Sequence, residues 1–250
     1  MKLLKIFTFI LTLAVLITPF TDTFARGRVI FVHGFQPEFG EKTPTGDVRK
    51  QLEKIFPECE ITIWQWSDAY KNVTDFRQSY YAARASEADE FAKFLMKKPP
   101  EERENTILVG HSLGGAMVVD AMQRLAENNI KICRGIFLGA AIPSNERDID
   151  IAIRASLKPN INIYNCQDYI LKHLASIILD ANILGSGGYT KDVRKSEMIQ
   201  IQVKEYKMPR NLWEYLRWGG VEHDVMQYLS ILDTYLKIEK GGKIYKTRNL

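Results

Sequence analysis

The chain has 250 residues, 34 of them basic and 30 acidic, with a formal net charge of +4 and 46% apolar side chains. Charge this close to balance, with no internal basic block, excludes a nucleic-acid-binding surface, and three cysteines are too few for a disulfide framework. Beyond its N-terminal segment the chain is about 225 residues long, which fits one α/β domain and hardly two.

Met1 to Ala25 opens with Lys2 and Lys5, continues through "IFTFILTLAVLITPF" and closes on Thr23-Phe24-Ala25. A charged start, an apolar middle and a small residue before the cut predict a secretory signal peptide, cleaved near Ala25. The competing reading is a retained membrane anchor. A spanning helix takes about 20 apolar residues, and Thr8, Thr12, Thr18 and Pro19 dilute this stretch. Cleavage makes the protein periplasmic or secreted and leaves 32 basic against 29 acidic residues.

After Arg28 short β-branched runs alternate with amphipathic stretches. "VIFVHG" precedes "GDVRKQLEKIF", and "EITIWQW" precedes "FRQSYYAARASEADEFAKFLMK". "NTILVGH" leads to "LGGAMVVDAMQRLAENN", "RGIFLGA" to "ERDIDIAIRASL", and "NINIYNC" to "DYILKHLASIILDA". Last, "MIQIQVKEY" leads through a loop to "DVMQYLSILDTYLK". Strand then helix, six times over, predicts an α/β fold with a mostly parallel sheet of about six strands and helices on both faces. "VIFV", "TILV" and "IFLG" are apolar on both faces, as central strands of such a sheet must be. Residues 184–197, "LGSGGYTKDVRKSE", read as a flexible loop, and residues 208–222, rich in aromatics, as a second long excursion. Neither marks a domain boundary, so residues 26–250 are expected to be one domain. The basic C-terminal "KIEKGGKIYKTRNL" reads as a solvated tail. Cys59, Cys133 and Cys166 are expected to be free and mostly buried.

Chemistry concentrates at "LVGHSLGG". Gly110-His111-Ser112-Leu113-Gly114 lies between a buried strand and a helix, where a tight turn needs small residues two positions either side of the serine. Such a turn lifts the hydroxyl above the sheet. A serine hydroxyl is a poor nucleophile until a base takes its proton, and the base needs an orienting carboxylate. Of four histidines, His33 follows the first strand, His111 adjoins the serine with its side chain pointing away, and His173 sits mid-helix. His223, in "GGVEHDVM", comes from a loop late enough to close over Ser112. Asp168, beyond the strand "NINIY", is the favoured acid, although capping a helix start would equally place an aspartate there. Glu146, in "AAIPSNE", is the runner-up, and Asp224 is too close to His223 in sequence to orient it easily.

These segments resemble the α/β-hydrolase superfamily, specifically its lipase and esterase branch. "FVHGF" matches the oxyanion strand of that branch, "GHSLGG" its nucleophile elbow, and "DYIL" and "EHDVM" its acid and histidine loops. The resemblance implies a Ser112-Asp168-His223 triad and an oxyanion hole made by the backbone N–H groups of Phe35 and Leu113. It gives His33 a structural role, and Gly34 lets the backbone turn. The chain departs from larger members in lacking their first two strands and a large cap. Trp64 and Trp66 are placed either along the acyl side or in the core, with core packing favoured for Trp64.

The reaction implied is hydrolysis of carboxylic esters through an acyl-enzyme. Acyl transfer, thioester or phospholipid cleavage would use the same triad, and a non-catalytic secreted binding protein would keep the fold alone. The expected partner is a small-molecule or lipid ester, with contact at a membrane surface in the lipid case. No metal or cofactor is implied, because no His, Asp or Cys cluster has ligand spacing.

Overall fold

The computed structural model describes residues 27–34, 45–66, 76–168, 171–172, 179, 181–190, 197–203 and 224–239. In chain order these form β1 (Arg28–Val32), α1 (Thr45–Ile55), β2 (Glu60–Trp64), α2 (Phe76–Ala82), a π-helical segment (Ala83–Glu87) and α3 (Ala88–Met96). There follow α4 (Pro100–Glu104), β3 (Thr106–His111), α5 (Leu113–Glu127), β4 (Arg134–Leu138) and α6 (Arg147–Ala152), which tightens into a 3₁₀ turn at Ile153–Ala155. The remainder is β5 (Asn160–Tyr164), α7 (Leu184–Gly187), β6 (Met198–Gln202) and α8 (Val225–Glu239).

The six strands form one all-parallel sheet in the order β2-β1-β3-β4-β5-β6. This is the predicted alternating α/β architecture. Side-chain alternation along each strand divides the core into two layers. Ile30, Val32, Leu108 and Phe137 face the side covered by α5, α6 and the helices before α4. Val29, Phe31, Val109, Ile136 and Ile161 face the other, against Val48 and Leu52 of α1 and Leu229 and Leu232 of α8. Each of these strand side chains is buried, which explains why the sequence runs are apolar on both faces.

Register aligns the strand ends where chemistry is expected. Val32 pairs with Gly110, His111 with Leu138, and Leu138 with Ile163. The turns after β1, β3, β4 and β5 therefore leave the sheet along one edge, the carboxyl end at which open α/β sheets bind ligands.

Two expectations need correction. Residues 184–187 are not a loose loop: Ile183, Leu184 and Gly185 are buried, and a short helix forms. The Gly185 N–H donates to the Ala140 carbonyl (2.9 Å), and the Leu184 N–H to that of Ile142 (2.8 Å). A Cβ on Gly185 would lie 2.3 Å from the Gly139 carbonyl carbon. The glycine serves close backbone approach here rather than flexibility. The three cysteines form no disulfide, and only Cys133 is buried. Cys59 is partly covered and Cys166, in the turn after β5, is exposed.

Candidate active site

β3 runs into α5 through a single residue, Ser112, with φ 53° and ψ −122°. A positive φ on a residue with a Cβ costs about 1–3 kcal/mol and persists only where surrounding structure enforces it. The enforcement is visible. The Ser112 N–H donates to the Leu138 carbonyl (3.0 Å), and its own carbonyl accepts from Gly115 (3.0 Å) and Ala141 (2.9 Å). β4, the segment just after it and the first turn of α5 thus hold the serine turn.

Glycines let neighbouring backbones meet at this turn. A Cβ on Gly110 would fall 2.6 Å from the Gly114 carbonyl oxygen, and one on Gly114 would fall 2.2 Å from that of Val32. Both positions abut backbone, which cannot yield as a side-chain end can. The small residues anticipated around Ser112 follow from these contacts. Leu113, the first residue of α5, is fully buried, and an amide at the first helical position has no partner within its helix.

The turn after β1 lies against the serine. A Cβ on Gly34 would sit 2.8 Å from Ser112 Cβ and 3.3 Å from its Oγ. His33 is buried beside it, with Nδ1 2.7 Å from the Gly34 carbonyl oxygen; that contact requires the proton on Nδ1. Trp66 stacks on the His33 ring at 5.5 Å between centroids and donates its indole N–H to the His33 carbonyl (2.9 Å). Trp66 therefore braces the β1 turn. Trp64 packs on Phe91 and Phe94, at centroid distances of 4.7 and 5.1 Å, as expected for a core tryptophan. Phe35, the other expected oxyanion donor, lies outside the described residues.

Asp168 lies four residues beyond the end of β5 and is fully buried. Its Oδ1 accepts from the Leu171 N–H (3.0 Å), the side-chain bond of an N-cap. Its Oδ2 accepts from the hydroxyl of Tyr228 on α8 (2.9 Å). The capping role weighed from sequence is thus present, and it occupies only part of the carboxylate. His223 and His173 lie outside the described residues. Asp224 caps α8 through the Met226 N–H (3.0 Å).

Glu146 is engaged elsewhere. Arg84, on the π-helical segment, donates to Glu146 Oε2 (3.0 Å), to both oxygens of Asp120 (2.7 and 2.9 Å), to Asp148 (3.2 Å) and to the Tyr80 hydroxyl (2.7 Å). Burial pushes the Asp120 and Glu146 carboxyls up against the pull of Arg84, and it pushes the Tyr80 phenol up to about 12. Burial also opposes the charge on Arg84, but its bonds to Asp120 and Glu146 outweigh it and keep the guanidinium protonated. One cation holds three carboxylates, a tie between the π segment, α5 and α6. A surface cavity of about 430 Å³ opens beside this cluster, lined by Tyr81, Gln123 and Arg124 among others. Asp120 is eight residues along α5 from Ser112, about 12 Å at 1.5 Å per residue, so this cavity is separate from the elbow.

Sequence reasoning missed Tyr228, Gly139 and the Arg84 cluster. Tyr228 occupies an apolar position of an amphipathic helix, and nothing in its neighbours signals a carboxylate partner. Among the described residues no group of His, Cys, Asp and Glu could hold a metal ion.

Among curated proteins, none matches this chain. Similar solved structures include Est1E from Butyrivibrio proteoclasticus, at 13% identity over 89% of this chain and 92% of that one, with a TM-score of 0.44. A thermophilic esterase from Thermogutta terrifontis is 10% identical over 92% and 88%, with a TM-score of 0.40. The NocB thioesterase domain, solved as a covalent complex with a fluorophosphonate nocardicin G analogue, is 12% identical over 88% and 97%, with a TM-score of 0.44. Residues 17–208 match the family described as alpha/beta hydrolase of unknown function (DUF900), a span that includes Ser112 and Asp168 and ends before His223. With an all-parallel sheet, a serine at the strained turn after its central strand and a family match over most of its length, the chain belongs to this alpha/beta-hydrolase family.

Proposed function

We propose that the protein is a serine hydrolase that cleaves carboxylic esters through Ser112, His223 and Asp168. The observation that carries this reading is the geometry of Ser112: a strained turn at φ 53°, with the β1 turn close against its hydroxyl. Strain of this kind is kept where it serves a reaction, and the β1 turn is where a carbonyl oxygen would be received. Ser112 Oγ attacks the acyl carbon while His223 takes its proton. The resulting oxyanion accepts the N–H groups of Phe35 and Leu113, the kind of term that is usually the largest single contribution to such catalysis. His223 then protonates the departing alkoxide, leaving an acyl-enzyme. Water attacks that ester with His223 again as base, and Ser112 recovers its proton. Asp168 holds the imidazole tautomer and faces the imidazolium as it forms.

Fluorophosphonate labelling tests the reading directly. The mature protein should label at Ser112 and hydrolyse at least one member of a nitrophenyl ester series of increasing acyl length. A folded protein that neither labels nor turns over any ester would make this a binding protein on a hydrolase fold.

Met1 to Ala25 fits the same picture as an export signal. No helix of the described residues is long and apolar enough to cross a membrane, and the leader itself lies outside them. Expressed with its leader in a bacterium, the protein should be recovered beyond the inner membrane with its N-terminus at or near Arg26. Full-length chain in the membrane fraction would instead make the segment an anchor.

A further inference from the structure

The triad reading gives Tyr228 no role, yet its surroundings are built around its hydroxyl. Tyr228 lies in the first turns of α8, five residues after His223, and is almost fully buried. Its hydroxyl donates to Asp168 Oδ2 at 2.9 Å. On the ring, Gly139 lies at φ +51°, and a Cβ there would fall 2.8 Å from both the Tyr228 hydroxyl oxygen and its Cζ. The His111 ring centre is 6.0 Å away. β4 is therefore followed by a glycine where the Tyr228 ring must pass to reach the carboxylate.

A carboxylate oxygen has two acceptor directions. Leu171 takes one on Oδ1 and Tyr228 takes one on Oδ2. Rotation of the carboxylate about Cβ–Cγ would break both bonds, so its plane is fixed. An imidazole N–H would use a further acceptor direction of the same carboxylate. Resting on the proposed triad, we infer that Tyr228 is a positioning residue that holds Asp168 in the plane His223 requires. In sequence His223 stands five residues before Tyr228, so the proposed base and the residue that holds its acid come from one short stretch of chain. A bond to a charged group is stronger than a neutral one, and its loss should register in turnover rather than in substrate binding.

The test is Tyr228→Phe, which removes the hydroxyl and keeps the ring over Gly139. Turnover of a nitrophenyl ester should fall about 10-fold, with KM within about 2-fold, because the bond acts on a group that works only as charge develops. The rate of Ser112 labelling by fluorophosphonate should fall in parallel. Counted per folded molecule, that rate stays informative if the variant is less stable. In an Asp168→Asn background the same change should alter residual turnover by less than about 2-fold, since residues acting as a unit are not additive. An equal loss in both backgrounds, or a loss of melting temperature with kcat unchanged, would make Tyr228 a packing residue. If Ser112→Ala or Asp168→Asn stays active, the triad reading itself fails. If both are inactive and Tyr228→Phe matches wild type, only the positioning role falls.

Discussion

Ser112→Ala is expected to lower ester turnover by at least about 10³-fold, because only catalysis from the oxyanion donors and substrate binding survives loss of the nucleophile. The fold should not notice. The bonds that hold the turn are main-chain: the N–H to Leu138, and the carbonyl to Gly115 and Ala141. An alanine keeps all three. It also keeps the strain, since it carries the same Cβ at φ 53°. The melting temperature should therefore move by no more than about 2–4 °C, the equivalent of about 1 kcal/mol for a chain of this size. Turnover within tenfold of wild type in a folded Ser112→Ala protein would exclude this serine as the nucleophile. Lost activity together with a collapsed melting transition would leave the question with the fold, and labelling of wild-type Ser112 then decides it.

Much of the fold and of the serine turn was legible in the sequence, for a physical reason. The central strands β1, β3 and β4 are covered on both faces, so "VIFV", "TILV" and "IFLG" had to be apolar on both faces. The elbow had to carry glycines, because at Gly110 and Gly114 backbone meets backbone. These are constraints a single residue must satisfy by its own size, and they leave a mark at that position. Tyr228 and Asp168 are different. Their bond joins residues 60 apart in sequence, and each looks ordinary where it stands: an aromatic on an apolar helix face, an acid at a helix start. The Arg84 cluster hides likewise, since its partners come from α5 and the start of α6. Residues 184–187 misled in the opposite sense. Glycines there resemble a loop, whereas Gly185 is small because β4's extension passes 2.3 Å from where its Cβ would be. Glycine marks either freedom or crowding, and sequence alone does not separate them.

The acid is the assignment that mutation can separate most sharply, through Asp168→Asn and Glu146→Gln. An asparagine at 168 can still accept from either Leu171 or Tyr228 through its one oxygen, but its amide nitrogen must occupy the other place. The imidazole then faces a neutral group, and a donor in one of its two orientations. The required tautomer is disfavoured and the imidazolium loses its counter-charge. In a serine protease the corresponding change costs about 10⁴ in turnover, and a loss of that order is expected here. Glu146→Gln changes a different structure. Arg84 keeps both oxygens of Asp120 at 2.7 and 2.9 Å and keeps Asp148, so the guanidinium is still paired. A modest fall in melting temperature is expected as the tie to α6 weakens, with turnover within about twofold, because substitutions away from a reacting centre act on stability first. Stability and activity should thus separate cleanly between the two variants. A Glu146→Gln protein that is folded and inactive, beside an active Asp168→Asn, would move the acid to the segment after β4 and leave Asp168 as the cap of the turn after β5.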